Sequence, residues 1–350
     1  LLYLLTGGYE KGKIYEELPT RVKKIIIKCT EFKGDKNYTV TIKNGTYANE
    51  DAEANTISGT VSWADHFREG DAVTISGAVK HPANNKTAII REIEGGELRF
   101  YENVFEIAEG GDSEVLTLKR EVPDMDFLCS NENRLWGCRY GVASNGEVVN
   151  EIYASKLGDF RNWNCFMNLS TDSYAASCGT DGPFTGAVTH MGFPLFWKEN
   201  CVHKVHGNFP ANFQIQDTAC RGVQPGCQGS LANVGGTLLY KSPGGVCAWD
   251  GGMPTEIGQA LGGVFYKNAR AGALGSKYYI SMEDGKGKWH LFVYDTETNL
   301  WLREDNLHAL AFAQVDDELY CIDADTSELV AMNGTKGYAE TDGLYWEAEF

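Results

Sequence analysis

The side chains able to do chemistry are present but dispersed. His190, His203 and His206 fall in one short stretch. His203 and His206 are three apart, so on a strand they face opposite ways and do not predict a metal site. Surface and strand-edge histidines are the expected reading. Asp323-Ala324-Asp325 and Asp316-Asp317-Glu318 offer oxygens to a calcium ion, but neither has the spacing of an EF-hand loop. Turn carboxylates facing solvent are expected instead. The 10 cysteines form no CxxC pair, which argues against structural zinc. They read as scattered buried thiols made in a reducing cell, with a Cys220–Cys227 loop disulfide as the less favoured alternative. Cys165, Cys178 and Cys247 have no neighbouring His–acid arrangement that would activate a nucleophile. The Gly-Gly pairs are not followed by GK[ST], so they read as turn glycines and not as a phosphate loop. The expectation is therefore a protein without catalytic, cofactor-binding or metal-ligating residues.

Charge narrows the partners. The net charge is −17, and Lys and Arg are not clustered, so direct nucleic-acid binding is not expected. An acidic surface favours solubility and a basic partner. No signal peptide and no apolar run of membrane-spanning length is visible, so no membrane contact is expected. The chain begins without Met at Leu1-Leu2-Tyr3, as a piece of a longer protein would.

The elements that position these side chains follow a repeat. Short apolar strands end on an aromatic residue at Trp136, Trp197, Tyr240, Tyr279 and Tyr320. After a longer first step, they recur about every 40 residues, the period of a propeller blade. Each is answered at hairpin distance by a second strand: Ile152–Ala154, Val202–Val205, Val246–Trp249, Leu291–Tyr294 and Leu329–Met332. Asp and Thr turns such as Asp295-Thr296, Asp323-Ala324-Asp325-Thr326 and Asp250-Gly251 punctuate them. Stacking such sheets buries faces that one sheet alone leaves wet. Most of the eight Trp fall at repeat positions, where packing explains them better than a sugar platform does.

Residues 1–25 read as the first strands of a split blade, Leu1–Leu5 and Lys13–Tyr15. Residues 26–119 read as an inserted small β-barrel or sandwich, and residues 120–350 as the remaining blades. Within the insertion, strands are predicted at Ile25–Ile27, Tyr38–Ile42, Ala72–Ser76, Ala88–Ile90 and Glu97–Phe100. Asn44-Gly45 reads as a hairpin turn, and Phe67–Asp71 as a turn into a barrel strand. The fold class is thus all-β: a propeller of about six, at most seven, blades with one inserted domain.

From Val122 onward the sequence resembles a known group. Asn133-Arg134-Leu135-Trp136-Gly137, then Ile152-Tyr153-Ala154-Ser155, Gly158-Asp159 and Trp163, are similar to a run found in phage and prophage β-propeller proteins of the tail and neck, with the tail-hub (stabilisation) proteins of short-tailed phages similar in look. Gly192–Asn200 and Gly235–Tyr240 fit the same group, so short motifs cover roughly residues 122–335. Ser155-x-x-Gly158-Asp159 with Trp163 also resembles the Asp-box turns of sialidase propellers, which are structural there. The singly spread Arg134, Arg139, Arg161, Arg221, Arg270 and Arg303 do not form the arginine cluster a sialidase needs.

The resemblance implies a virion protein, assembled in the host cytoplasm, whose partners are other tail or neck proteins and copies of itself in a ring. It supplies no catalytic residue. A carbohydrate- or receptor-binding propeller at the tail tip, and a glycan hydrolase on the same fold, are the alternatives.

Overall fold

A computed structural model describes residues 39–332, apart from 52–53, 61, 102–104, 107–112, 121 and 143–147. The predicted strands at Leu1–Leu5, Lys13–Tyr15 and Ile25–Ile27, together with Cys29 and Trp346, lie outside the described residues.

Six strands close into an antiparallel barrel. They are β1 (Thr39–Asp51), β2 (Ala54–Ser58), β3 (Ala72–Ser76), β4 (Thr87–Glu94), β5 (Glu97–Phe100) and β6 (Ser113–Lys119), in the order β1-β2-β5-β4-β3-β6. Alternation in the sequence fills it: Val73 and Ile75 of β3, Leu98 and Phe100 of β5, and Leu116 and Leu118 of β6 all point into a dry centre. Closure removes the exposed sheet edges that so small a domain would otherwise present. One sequence expectation is corrected here. Asn44-Gly45 is not a hairpin turn, because β1 runs through it. The register against β6 shifts between Ile42 and Gly45, so the pair marks a β-bulge that bends one long strand across the barrel.

The remaining strands form five successive antiparallel sheets. The first holds β7 (Phe127–Asn131), β8 (Arg134–Val142), β9 (Val148–Ala154) and β10 (Tyr174–Ser177). The second holds β11 (Phe184–His190), β12 (Phe193–Lys198), β13 (Cys201–His206) and β14 (Gln214–Ala219). The third holds β15 (Ala232–Val234), β16 (Thr237–Ser242), β17 (Gly245–Trp249) and β18 (Thr255–Glu256). The fourth holds β19 (Tyr266–Leu274), β20 (Lys277–Asp284), β21 (Trp289–Asp295) and β22 (Leu300–Asp305). The fifth, among the described residues, holds β23 (Ala309–Val315), β24 (Glu318–Asp323) and β25 (Leu329–Ala331). In all five, strands pair in chain order, and neighbouring sheets meet through their first strands, as β7 does with β11 and β19 with β23. These are the blades of a β-propeller.

The repeated aromatic strands are the second strand of each blade, and the answering strands are the third. Trp136 pairs with Ala154, Trp197 with Val202, Tyr240 with Cys247, Tyr279 with Val293 and Tyr320 with Ala331. The second strands are buried on both faces: from Pro194 to Lys198, from Leu238 to Ser242 and from Tyr278 to Met282 every residue is buried. Blade faces interlock through them. Trp197 of the second blade lies 4.7 Å, ring to ring, from Tyr240 of the third.

The Asp turns work as expected. Asp295 accepts from the Glu297 N–H at 2.9 Å, and Asp323 from the Asp325 N–H at 3.0 Å and the Thr326 hydroxyl at 3.1 Å. The left-handed residue each such turn needs is Asn299 (φ 58) or Ser327 (φ 62). The carboxylate oxygens singled out at Asp323 are therefore engaged by the chain's own donors.

Candidate functional site

The barrel and the first blade are joined by a buried polar junction built around Asp71. The segment leading to it begins with a 3-10 turn at Trp63–Asp65, whose Trp63 and the following Phe67 are buried in the barrel core. The chain then turns on itself: the Asp71 N–H donates to the Arg68 carbonyl at 3.1 Å, and the Arg68 N–H donates back to Asp71 Oδ2 at 2.9 Å. Gly70 makes the turn possible. Its φ is +87, and a Cβ there would lie 2.3 Å from Met167 Cγ of the first blade.

Asp71 is fully buried. Its Oδ2 takes a 2.6 Å ion pair from Arg120 Nη1, at the end of β6, and its Oδ1 takes 2.6 Å from Asn162 Nδ2, in the β9–β10 loop of the first blade. The backbone follows the side chains across: the Ala72 N–H donates to the Asn164 carbonyl at 2.6 Å, and Asp71 forms a one-residue antiparallel bridge with Cys165. Three donors converge on this buried carboxylate, two on Oδ2 and one on Oδ1. It ties the barrel to the first blade through its own side chain.

The residues of the phage-like sequence run build the blade half of this junction. Arg134 is buried, and its guanidinium donates to the carbonyls of Ser155 (2.7 Å), Asp172 (2.5 Å) and Ser170 (2.8 Å). Burial lowers its pKa, and Asp172 acts in the opposite direction. The Ser155 hydroxyl accepts from the Leu135 N–H at 3.0 Å. Gly158 adopts φ 73, the Asn162 N–H donates to the Asp159 carbonyl at 3.1 Å, and Trp163 Nε1 donates to the Phe160 carbonyl at 2.9 Å. The Asp-box-like turn is thus structural, and its product is the placement of Asn162. Asp172 ties the loop shut, accepting from the N–H groups of Met167 and Leu169 and from the Cys165 thiol. Burial pushes that thiol up to about 11.

The outside of the same loop is apolar. Leu157, Phe160, Phe166 and Leu169 are between 41% and 58% exposed, and the Arg161 guanidinium lies 5.7 Å over the Phe160 ring. This one loop thus exposes four large hydrophobic side chains.

The histidines do not converge. His190 and His203 are buried, which corrects the surface and strand-edge reading of them. His190 Nδ1 meets Asn233 Oδ1 across to the third blade, His203 Nε2 lies 2.7 Å from the Thr180 hydroxyl, and the His206 ring packs 5.1 Å from Phe193. Burial lowers the pKa of His203. Among the described residues no three His, Cys, Asp or Glu side chains group as a metal site. Cys220 and Cys227 are both free thiols. Trp63, Trp136, Trp163, Trp197 and Trp249 are buried in packing. The sequence analysis missed Asp71, Arg120 and Asn162. Their traces in the sequence are the Phe67–Asp71 turn and the Gly158-Asp159 to Trp163 run, which stand far apart along the chain.

No protein-family model and no curated protein matches this sequence. Similar solved structures include two of AztD from Citrobacter koseri. The apo form has a TM-score of 0.33 at 12% identity, covering 83% of this chain and 92% of that one; the other has 0.34 at 11% identity, covering 87% and 84%. The phage phi92 endosialidase is similar at a TM-score of 0.21 and 11% identity, covering 81% of this chain and 34% of that one. At these values the likenesses carry no argument about activity, ligand or partner.

Proposed function

We propose that the chain is a non-catalytic structural component of a bacteriophage or prophage tail or neck, in which a rigid propeller presents an inserted barrel to neighbouring subunits. The observation that carries this reading is the Asp71–Arg120–Asn162 junction with the apolar Leu157, Phe160, Phe166 and Leu169 surface on its outer side. A side domain fixed in orientation by buried charges, next to an exposed apolar loop, suits repeated protein–protein contact. The phage assignment itself leans on the similarity of the Asn133–Trp163 run to tail and neck propellers. In this reading the partners are other virion proteins and further copies of the chain in a ring, the protein resides in the virion, and neither nucleic acid nor membrane is contacted directly.

Two measurements test it. Co-expression with the products of its flanking genes, followed by tandem affinity purification, is expected to recover a complex containing tail proteins. Sedimentation of the purified chain over a concentration series is expected to show a closed oligomer. A protein that stays monomeric and binds none of those products would overturn the proposal.

A further inference from the structure

Between the third and fourth blades the structure holds a cavity of about 180 Å³. Its floor is Lys241, at the end of β16, and Met282 of β20; its rim is Glu256 of β18 and the apolar Leu261, Val264 and Phe265 of the connection between the blades. Lys241 is 3% exposed, and among the described residues no carboxylate lies within ion-pair distance of its ammonium. Nζ donates to Gln224 Oε1 at 2.7 Å and to the Ser242 carbonyl at 2.5 Å. Gln224 is held in that orientation because its Nε2 donates to the Tyr266 carbonyl. An ammonium has three N–H donors, so one remains for the cavity.

The repeat supplies an internal control. Lys198 occupies the corresponding place at the end of β12 and is equally buried. Its Nζ also makes two hydrogen bonds, to Asn150 Oδ1 and the Thr180 carbonyl. There the remaining side of the cation is covered by two rings, Phe184 at 4.7 Å and Tyr140 at 5.1 Å. Around Lys241 a single ring, Phe265, stands further off at 5.8 Å and is largely exposed, and the cavity opens in the space that remains.

An opposite charge faces the same space. Glu256 Oε2 is taken by Arg221 at 2.7 Å. Its Oε1 lies against Gly245, where a Cβ would come within 2.9 Å of it. The cavity therefore offers a spare donor on a buried cation, a spare acceptor on a carboxylate, and an apolar wall.

We propose that this cavity binds a small zwitterion of the α-amino-acid class with an apolar side chain. The ligand carboxylate meets Lys241, its ammonium meets Glu256, and its side chain lies against Leu261, Val264 and Met282. A ligand carboxylate supplies the counter-charge that the buried Lys241 lacks, and this is where the binding energy comes from. Burial lowers the proton affinity of Lys241, with Glu256 acting in the opposite direction, and an added carboxylate reinforces the charged form.

Titration calorimetry and saturation-transfer NMR on the full chain test this with L-leucine, with 4-methylpentanoate (the same body without the amine) and with 3-methylbutylamine (without the carboxylate). Leucine is expected to saturate the protein, 4-methylpentanoate to bind at least about tenfold more weakly, and the amine not to bind. Lys241→Met is expected to abolish binding while Lys198→Met leaves it unchanged, and Glu256→Gln to erase the preference for leucine over 4-methylpentanoate. Because a variant of a buried lysine risks misfolding, Val264→Trp, a change at an exposed position, serves as an independent block and is expected to abolish binding in a folded protein. The proposal fails if leucine does not saturate the protein by about 10 mM, if 4-methylpentanoate binds as well as leucine, or if Val264→Trp binds leucine normally.

Discussion

Asp71 shows how much a single residue can settle in this molecule. Buried without exposure and paired at 2.6 Å to both Arg120 and Asn162, it cannot lose one partner cheaply. Asp71→Leu or Arg120→Met alone removes one member of a buried ion pair and is expected to cost about 3–5 kcal/mol in urea unfolding. The double variant is expected to cost clearly less than the sum, and an additive result would show that the pair is not coupled. Asn162→Ala removes a neutral donor to a charge and the Oδ1 that accepts from the Asn164 N–H, so a loss of about 1.5–3 kcal/mol is expected. Asp284 gives a pH signature. His290 at 3.0 Å and the Lys288 and Lys286 N–H groups hold its carboxyl down from the ordinary 3.8 to about 2. Its folded pKa is depressed, so its contribution is present above pH 3.8 and is lost as pH falls through about 2. Acid unfolding should therefore show Asp284→Asn less stable than the parent at neutral pH, with the gap closing by about pH 2. A gap independent of pH would refute the assignment.

At the scale of elements, legibility in the sequence followed burial. The second strands stand out because both faces are covered, which turns Leu195-Phe196-Trp197 and Tyr278-Tyr279-Ile280 into unbroken apolar runs. The first and fourth strands were not seen. β15 has three residues, and β14, Gln214–Ala219, is exposed or half-exposed throughout, so neither carries a pattern. The bulge at Asn44-Gly45 was misread because the same dipeptide serves a turn or an irregular strand, and only the pairing partner decides. The junction was illegible for another reason: Asp71 and Asn162 lie 91 positions apart and meet only once both domains have folded. Two predictions belong here. A Cβ on Gly222 would stand 1.8 Å from the Lys198 carbonyl, so Gly222→Ala is expected to destabilise the protein by about 1–3 kcal/mol, read from the unfolding midpoint. Burial pushes the Cys129 and Cys321 thiols up to about 12, so at pH 8 a disulfide reagent should modify the native chain far more slowly than the urea-unfolded one. Rapid modification of native Cys321 would contradict the fifth blade as drawn.

For the whole molecule, core and surface separate cleanly enough to be varied independently. Apolar clusters span neighbouring blades, one of them running from Leu195 through Tyr240 to Ile280 across three sheets. The patch at Leu157, Phe160, Phe166 and Leu169 lies outside it. Replacing all four with Ser is expected to leave the melting temperature within a few degrees of the parent while abolishing the oligomer that the proposed function expects in sedimentation. If assembly survives that change, the contact surface lies elsewhere.

The way the barrel is attached has a mechanical consequence. Its hold on the first blade combines a carboxylate gripped from both sides with the Ala72–Asn164 backbone bond, all within a few residues. Tension on the barrel would therefore converge on one short loop instead of spreading over the disc. Under load that clasp is expected to act as a fuse, releasing before a blade peels and leaving the side domain on a tether.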